Sequence, residues 1–344
     1  MKTLKIIALF VFGFNTVLYA QDIHFSQTSQ IPLLINPGAT GIFDGWERVT
    51  LNHKNQWTNS NVNYYTTALA FDMNIFKPKR SKGAYMGIGL HAYNDMAGDS
   101  KLGTKSINLS TSVILPLDKY QLISLGLQAG TAQQSISSDQ LYFGNQFTGQ
   151  DFNTALPSNE HMSTSVMYSD FSTGIYYRYN SSNHRWKEDN RFIFETGLSY
   201  YHLNKPSISF TSGNTDQLYS KIVYHAMASK NIIPSYFDMI GSLYFFSQGP
   251  HKEFIIGFLA KIHVGTPSRI TGFKRAKKIG FGLLYRAGDA IIPQISLEWA
   301  AWTFGMSYDV SVSKFDAVDS NGGLEFSLQY AIFDHALFKR RTSF

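Results

Sequence analysis

Residues 323–333 read GLEFSLQYAIF, and their side chains alternate between two kinds. Leu324, Phe326, Leu328, Tyr330 and Ile332 point one way along an extended chain; Glu325, Ser327, Gln329 and Ala331 point the other. A strand repeats every two residues, so the stretch predicts a sheet with one apolar face and one small or polar face. The preceding segments agree. Trp302, Phe304, Met306, Tyr308 and Val310 oppose Thr303, Gly305, Ser307, Asp309 and Ser311, and Ile295, Leu297 and Trp299 oppose Gln294, Ser296 and Glu298. Further back, Ile123, Leu125, Leu127 and Ala129 oppose Ser124, Gly126, Gln128 and Gly130, and Ile107, Leu109, Val113 and Leu115 oppose Ser106, Asn108, Ser110 and Ser112.

In a soluble sandwich the outward face carries charge. Here only 16% of the 344 residues are charged, against roughly 25% in an ordinary soluble domain. The aromatic share is 15%, yet the mean hydropathy is −0.15. Apolar residues are therefore abundant but interleaved. Beyond the first twenty residues no apolar run is long enough for a transmembrane helix. The reading that fits is an all-β chain forming a closed antiparallel transmembrane β-barrel, apolar side outward and polar side inward.

About fourteen strands are expected, near 48–57, 63–74, 84–94, 102–115, 120–134, 164–179, 191–202, 221–230, 237–247, 251–262, 278–286, 292–299, 302–311 and 323–333. An even number suits a bacterial outer-membrane barrel, as do short periplasmic turns and longer outer loops. With a periplasmic start, the tight links 116–119 and 300–301 fall inside, and the long links 135–163 and 203–220 fall outside. Two links run against this parity: 247–250 is short outside and 263–277 is long inside. Trp57, Trp299, Trp302, Tyr330 and Phe333 are placed for the interfacial aromatic girdles. Inward charges Arg178, Glu195, Arg286, Glu298, Asp309 and Glu325 admit two readings, a selective or catalytic lumen or a charge network filling a narrow one.

Lys2 and Lys5, the apolar run Ile6–Phe14 and Leu18-Tyr19-Ala20 read as a secretory signal peptide over 1–20, cut before Gln21. Without Lys2 and Lys5, 28 basic residues face 24 acidic ones, a net charge of +4. That balance, with export, argues against nucleic acid as a partner. There is no cysteine, which excludes disulfides, thiolate metal sites and a cysteine nucleophile. Lys77-Pro78-Lys79-Arg80, Lys274-Arg275-Ala276-Lys277-Lys278 and Lys339-Arg340-Arg341 all fall on the periplasmic side by strand parity, the last in a basic tail over 334–344.

Residues 21–47 differ from the rest. They hold His24-Phe25-Ser26-Gln27, Pro32 and Asn36-Pro37-Gly38-Ala39-Thr40-Gly41, a composition that prevents a long helix and a central strand. The sequence leaves open whether they plug the lumen, lie in the periplasm or reach outside. The run from Gln21 to Trp57 resembles the mature N-terminus of the PorP/SprF family, outer-membrane proteins associated with the type IX secretion system of the Bacteroidetes. Asp22–Gln27, Asn36–Gly41 and Arg48–Trp57 carry the likeness, with His24, Phe25, Ser26, Gln27, Asn36, Pro37, Gly41 and Trp57 at motif positions. Gly38 stands where alanine is common in the family. Gly305–Val310 and Gly323–Leu328 match the family's C-terminal strands, while the middle resembles it only in strand pattern.

The resemblance implies a barrel embedded in outer-membrane lipid. It would help secrete, or hold at the cell surface, one large protein with a type IX C-terminal domain, such as a gliding adhesin, beside other type IX components. It implies no catalysis and no cofactor. The long outer loop 135–163 carries Tyr142, Phe143, Phe147 and Phe152, either anchors for that partner or a lid over the mouth. A passive channel or hydrophobic-solute transporter is the alternative function. An enzyme would need a nucleophile motif. His91, His202, His225 and His251 are expected near strand ends, with no G-x-S-x-G, H-E-x-x-H or phosphate-loop pattern beside them. Asn94–Ser100 and Asp316–Gly322 hold oxygen ligands without full calcium-loop spacing and read as solvated turns.

Overall fold

Ladder pairing runs unbroken from the first strand to the last and then back to the first. The computed structural model describes residues 22–56, 64–77, 83–98, 100–137, 141–159, 163–181, 191–211, 216–233, 236–265, 277–312 and 322–332. Its strands are β1 (Glu47–Gln56), β2 (Tyr64–Ile75), β3 (Tyr85–Ala97), β4 (Leu102–Pro116), β5 (Gln121–Ser135), β6 (Ser165–Asn180) and β7 (Phe192–Tyr201). The second half is β8 (Lys221–Ile233), β9 (Phe237–Gln248), β10 (His251–Val264), β11 (Lys277–Arg286), β12 (Ala290–Trp299), β13 (Trp302–Ser311) and β14 (Gly323–Ile332). Each strand pairs with its sequence neighbours, and β1 pairs with β14 from Glu47 opposite Ile332 to Gln56 opposite Gly323. The result is a closed antiparallel barrel of fourteen strands. The neighbour-to-neighbour order follows from tight hairpins, and closure follows from the absence of water in hydrocarbon to satisfy an edge.

The phase of every alternating segment named above is the one expected. On β4, Leu109 is 57% exposed on the outer wall and its neighbour Ser110 is 0% exposed. Outer side chains remain accessible in the isolated chain because lipid is their solvent. Trp302 lies opposite Trp299 and packs on Tyr330 at 4.5 Å, an aromatic step at one rim. Trp57 and Phe333 lie outside the described residues.

One end of the barrel has tight links. Leu117–Tyr120 is closed by the Asp118 carboxylate, which accepts from the Tyr120 and Gln121 amides, and Ala300 takes a positive φ of 55° before Ala301. The other end carries the long connections 136–164 and 202–220. By the general rule the tight end is periplasmic and the long end outer. The two exceptions to parity persist, with the outer turn from Gln248 to His251 bending at Gly249.

Residues 22–46 cross the barrel interior from the outer end to the periplasmic end, where β1 begins. They contain a single α-turn, Pro32–Ile35, flanked by two one-turn 3-10 segments. In the outer half, Phe25, Ile31 and Ile35 pack against Tyr201, Val223, Tyr244, Phe246, Ile255, Leu284 and Ile292. Nearer the periplasm, Ala39 and Ile42 pack against Tyr85, Ile114 and Tyr176. The hydrophobic core is thus inside a barrel whose wall is apolar outside.

The phase assignment makes a prediction. Ile295→Arg places a charge on the lipid face in mid-strand and should destabilise the folded barrel by about 2–4 kcal/mol. Ile295→Phe should be nearly neutral. Urea titration of protein refolded into lipid vesicles measures both.

Candidate functional site

Four groups of luminal side chains hold the inner segment, and they explain its motifs residue by residue. Near the outer end, Glu325 on β14 is fully buried and accepts from the Ser26 amide at 2.7 Å and the Gln27 amide at 3.0 Å. The Ser26 hydroxyl donates to Asp309 at 2.7 Å and accepts from Arg286 at 2.7 Å and Lys54 at 3.2 Å. Gln27 donates to the Glu325 carbonyl and accepts from Ser327 at 2.8 Å. One serine hydroxyl therefore sits among two cations and a carboxylate from β1, β11 and β13. A charge buried this deeply survives only when paired and hydrogen-bonded, and Ser26 joins that network to the segment.

Midway, the Asn36 side chain accepts from the Gly38 amide at 2.7 Å and donates to the Ile175 carbonyl at 2.9 Å. Pro37 fixes the following turn, and Thr40 presents its carbonyl to Ser112 on β4 at 2.7 Å. The wall opposite is glycine for a steric reason. A Cβ on Gly126 would fall on the Pro37 carbonyl and the Gly38 nitrogen, and one on Gly174 would fall on the Asn36 amide oxygen. Gly41, at φ 73°, donates its amide to Asp72, whose carboxylate is also gripped by Arg48 through two bonds of 2.8 Å. At the periplasmic end Asp44 is shared by Arg178 at 3.0 Å and Arg191 at 2.6 Å, and Arg178 also reaches Glu195 at 3.1 Å.

At the outer mouth the segment is pinned by its first described residue. Asp22 pairs with Lys221 at 2.9 Å, its amide donates to Gln248, and His202 lies between Asp22 and Asp170. Partial burial pulls the Asp22 carboxyl upward, but the Lys221 ammonium and His202 hold it well below the usual carboxylate range. Burial likewise opposes a charge on His202, yet its hydrogen bonds to Asp170 and Asp22 raise it from 6.5 to about 9. Below this mouth a cavity of about 30 Å³ remains beside His24, His91, Asn108 and Gln128, room for about two water molecules.

His202 directly follows β7 and His251 opens β10, both at strand ends as expected, while the other two histidines are placed differently. His91 and His225 lie in the middle of β3 and β8, buried and facing the lumen, because strand phase turns them away from lipid. His202 serves the Asp22 contact. Sequence analysis did not single out Lys54, Asp72 or Lys221 as partners of the segment. Their signal was a charge at an inward strand position, and only the threading supplies the partner. Phe25, Ser26, Gln27, Asn36, Pro37 and Gly41 are brought together as the lining of one filled lumen, with His24 beside them.

On the outer side, the loop holding Tyr142, Phe143, Phe147 and Phe152 is itself folded. Gln146 is buried, accepting from the Phe143 amide at 3.1 Å and donating to the Leu156 carbonyl at 3.0 Å. Phe147 and Phe152 form an isolated antiparallel bridge around a Thr148–Asp151 turn. The Phe152 ring packs at a tilt against Tyr142, with centroids 5.4 Å apart, and against Phe147 at 5.1 Å. Tyr142 is 63% exposed, and Phe147 and Phe152 about half, while Phe143 is half-buried.

A closed fourteen-strand wall around a peptide-filled lumen defines an outer-membrane β-barrel. Comparison with known proteins makes the assignment specific: the chain belongs to the family of type IX secretion system membrane proteins PorP/SprF, whose model matches residues 17–330. Similar solved structures include the toluene transporter TbuX of Ralstonia pickettii, 11% identical over 88% of this chain and 94% of that chain, with a TM-score of 0.46. The translocator domain of autotransporter NalP from Neisseria meningitidis is 12% identical over 84% and 90%, with a TM-score of 0.43. BamA from Haemophilus ducreyi lacking POTRA domains 1-3 is 8% identical over 83% and 70%, with a TM-score of 0.42. All are similar to this chain as barrels only. No curated protein matches the sequence.

Two predictions follow from the lumen. Gly126→Leu should unseat residues 36–41 while leaving the outer wall intact; planar-bilayer recordings should then show conductance absent from the unsubstituted protein. Because the His202 value is raised on folding, its stabilisation is complete below pH 6.5 and is lost as pH rises through about 9. Heat stability in detergent should therefore fall from pH 7 to pH 10 more steeply in the native protein than in His202→Gln.

Proposed function

We propose that this barrel helps secrete one large type IX substrate, such as a gliding adhesin, and holds it at the cell surface by gripping its C-terminal domain on the outer loops. The chain is exported by a signal peptide cut before Gln21 and works beside other type IX components in the outer membrane. The observation that carries the reading is the folded loop with Tyr142, Phe147 and Phe152 exposed above a filled lumen. Aromatic side chains held rigidly in water are costly on a surface that meets nothing, and they are typical anchors of protein interfaces. Internal bonds through Gln146 mean little ordering is needed on binding, which favours affinity. The β-rich character expected of a secreted C-terminal domain suits additional backbone pairing along the loop. Family membership supports the type IX setting, and the filled lumen argues against the passive-channel alternative.

The test replaces Tyr142, Phe143 and Phe147 together by Ser. Each buried anchor is expected to contribute about 2 kcal/mol or more to binding, so the co-purified surface protein should vanish while the barrel's heat stability is unchanged. Undiminished partner, or loss that only follows unfolding, removes this loop as the binding surface.

A further inference from the structure

The lipid-facing wall is not uniform along its outer edge. Near the outer ends of β8, β12 and β13 the outward side chains are still apolar: Ile222, Ile291 and Val310 are all exposed there. Near the outer ends of β3, β4 and β5 the outward positions hold Asn94, Lys105 and Gln133 instead. Ladder register joins them, with Asn94 opposite Lys105 and Lys105 opposite Gln133. The same row runs back through Thr67 on β2 to His53 on β1, and His53 Nδ1 and the Thr67 hydroxyl are hydrogen-bonded at 2.8 Å. Past His53 it turns wholly apolar, through Phe326, Met306 and Ile295 on β14, β13 and β12. A single outward row thus passes from apolar to polar.

Strand tilt carries this row across the depth of the membrane. Ile295 and Met306 lie in mid-strand, at hydrocarbon depth, whereas Asn94, Lys105 and Gln133 lie within three residues of the outer ends of their strands, at headgroup level. Along the apolar half runs a trough of about 330 Å³. It lies between the rows that begin at Ile295 and Leu297 on β12, is floored at Gly305 and ends at His53. Neighbouring strands are about 4.8 Å apart, so three ladder steps make the trough about 14 Å long from Ile295 to His53, and three more reach Lys105.

We propose that this row seats one outer-leaflet lipid of the lipid A kind, an acylated and phosphorylated disaccharide. A fatty-acyl chain lies in the trough, and the sugar-phosphate head lies along the polar half. Polarity and charge select this occupant. Lys105 is exposed and has no ion-pair partner among the described residues, so its ammonium is available to a phosphate. The Asn94 amide oxygen is buried and accepts no hydrogen bond, a costly state unless a ligand hydroxyl donates to it. Asn94 and Gln133 flank the one cation with amides, and Thr67 adds a hydroxyl. Such groups suit the hydroxyls of a sugar. A glycerophospholipid would engage the lysine and leave the amides unmet.

The seat lies on the wall and does not depend on the outer-loop reading. Native mass spectrometry of the folded barrel in detergent tests it, with purified lipid A, phosphatidylglycerol or phosphatidylethanolamine added. One lipid A should stay bound at collision energies that strip both glycerophospholipids. Lys105→Gln should lower its occupancy several-fold, and so should Leu51→Trp, which fills the trough beside His53. Lys252→Gln, an exposed lysine on β10 away from the row, should leave it unchanged. All three positions face outward, so heat stability in detergent should match that of the unsubstituted protein. Equal retention of phosphatidylglycerol overturns the sugar-lipid assignment. Occupancy unmoved by Lys105→Gln overturns the phosphate seat, and occupancy unmoved by Leu51→Trp overturns the acyl trough. An equal fall in Lys252→Gln marks general charge attraction and overturns the site.

Discussion

In hydrocarbon no water satisfies a backbone amide, and a sheet persists there only if its last strand pairs with its first. The β1–β14 ladder meets that demand, and most other features follow from it. A ring of fourteen strands encloses a space too wide for wall side chains alone to fill, in contrast to an eight-stranded barrel. Here residues 22–46 supply the missing volume. The segment brings polar backbone into a dry interior, so the wall must offer partners at fixed heights: Glu325 for the amides of Ser26 and Gln27, Ser112 for the Thr40 carbonyl, Asp72 for the Gly41 amide. The motifs near the N-terminus are therefore the complement of a pattern spread over the whole wall.

The wall was legible in the sequence because it depends on a local period. Alternation such as Leu324 to Ile332 fixes strand, phase and neighbour order without reference to anything distant, and link lengths fix which end faces out. The inward charges on Arg178, Arg286, Asp309 and Glu325 were legible as inward but not as partners of Ser26 or Asp44. Pairing across the lumen joins residues nearly three hundred positions apart, and periodicity carries no information at that range. The inner glycines sit between these cases. Gly126 and Gly174 could be read as sites of close approach, yet what approaches them came only with the thread of residues 36–41. For His91 and His225 position along the chain misled, since a histidine in mid-strand is steered by phase.

Membership of the type IX secretion family and the filled lumen bear on each other. A secretion component need not be a conduit, and a lumen tied to its contents by four groups of charged contacts is better suited to holding than to passing. What the barrel presents to its surroundings is then its outer loops, its lipid-facing wall and its periplasmic end. The loop around Gln146 is the part of the outer surface where the chain invests hydrogen bonds in keeping aromatic side chains in water.

Because residues 22–46 run from the outer mouth to the start of β1, the order of assembly is constrained. The finished wall leaves no gap for the segment to enter sideways, so it lies inside when β14 zips onto β1 or threads in along the axis. Burying Ser26 against Glu325 and Asp309 belongs to a late event, as Glu325 sits on β14, the strand that closes, and Asp309 on β13 beside it. Unfolding has to reverse the same event, breaking the seam and the buried charges together. A barrier of that kind slows loss of the native state more than it deepens equilibrium stability. For a protein seated in the outer membrane, endurance over time is the relevant quantity.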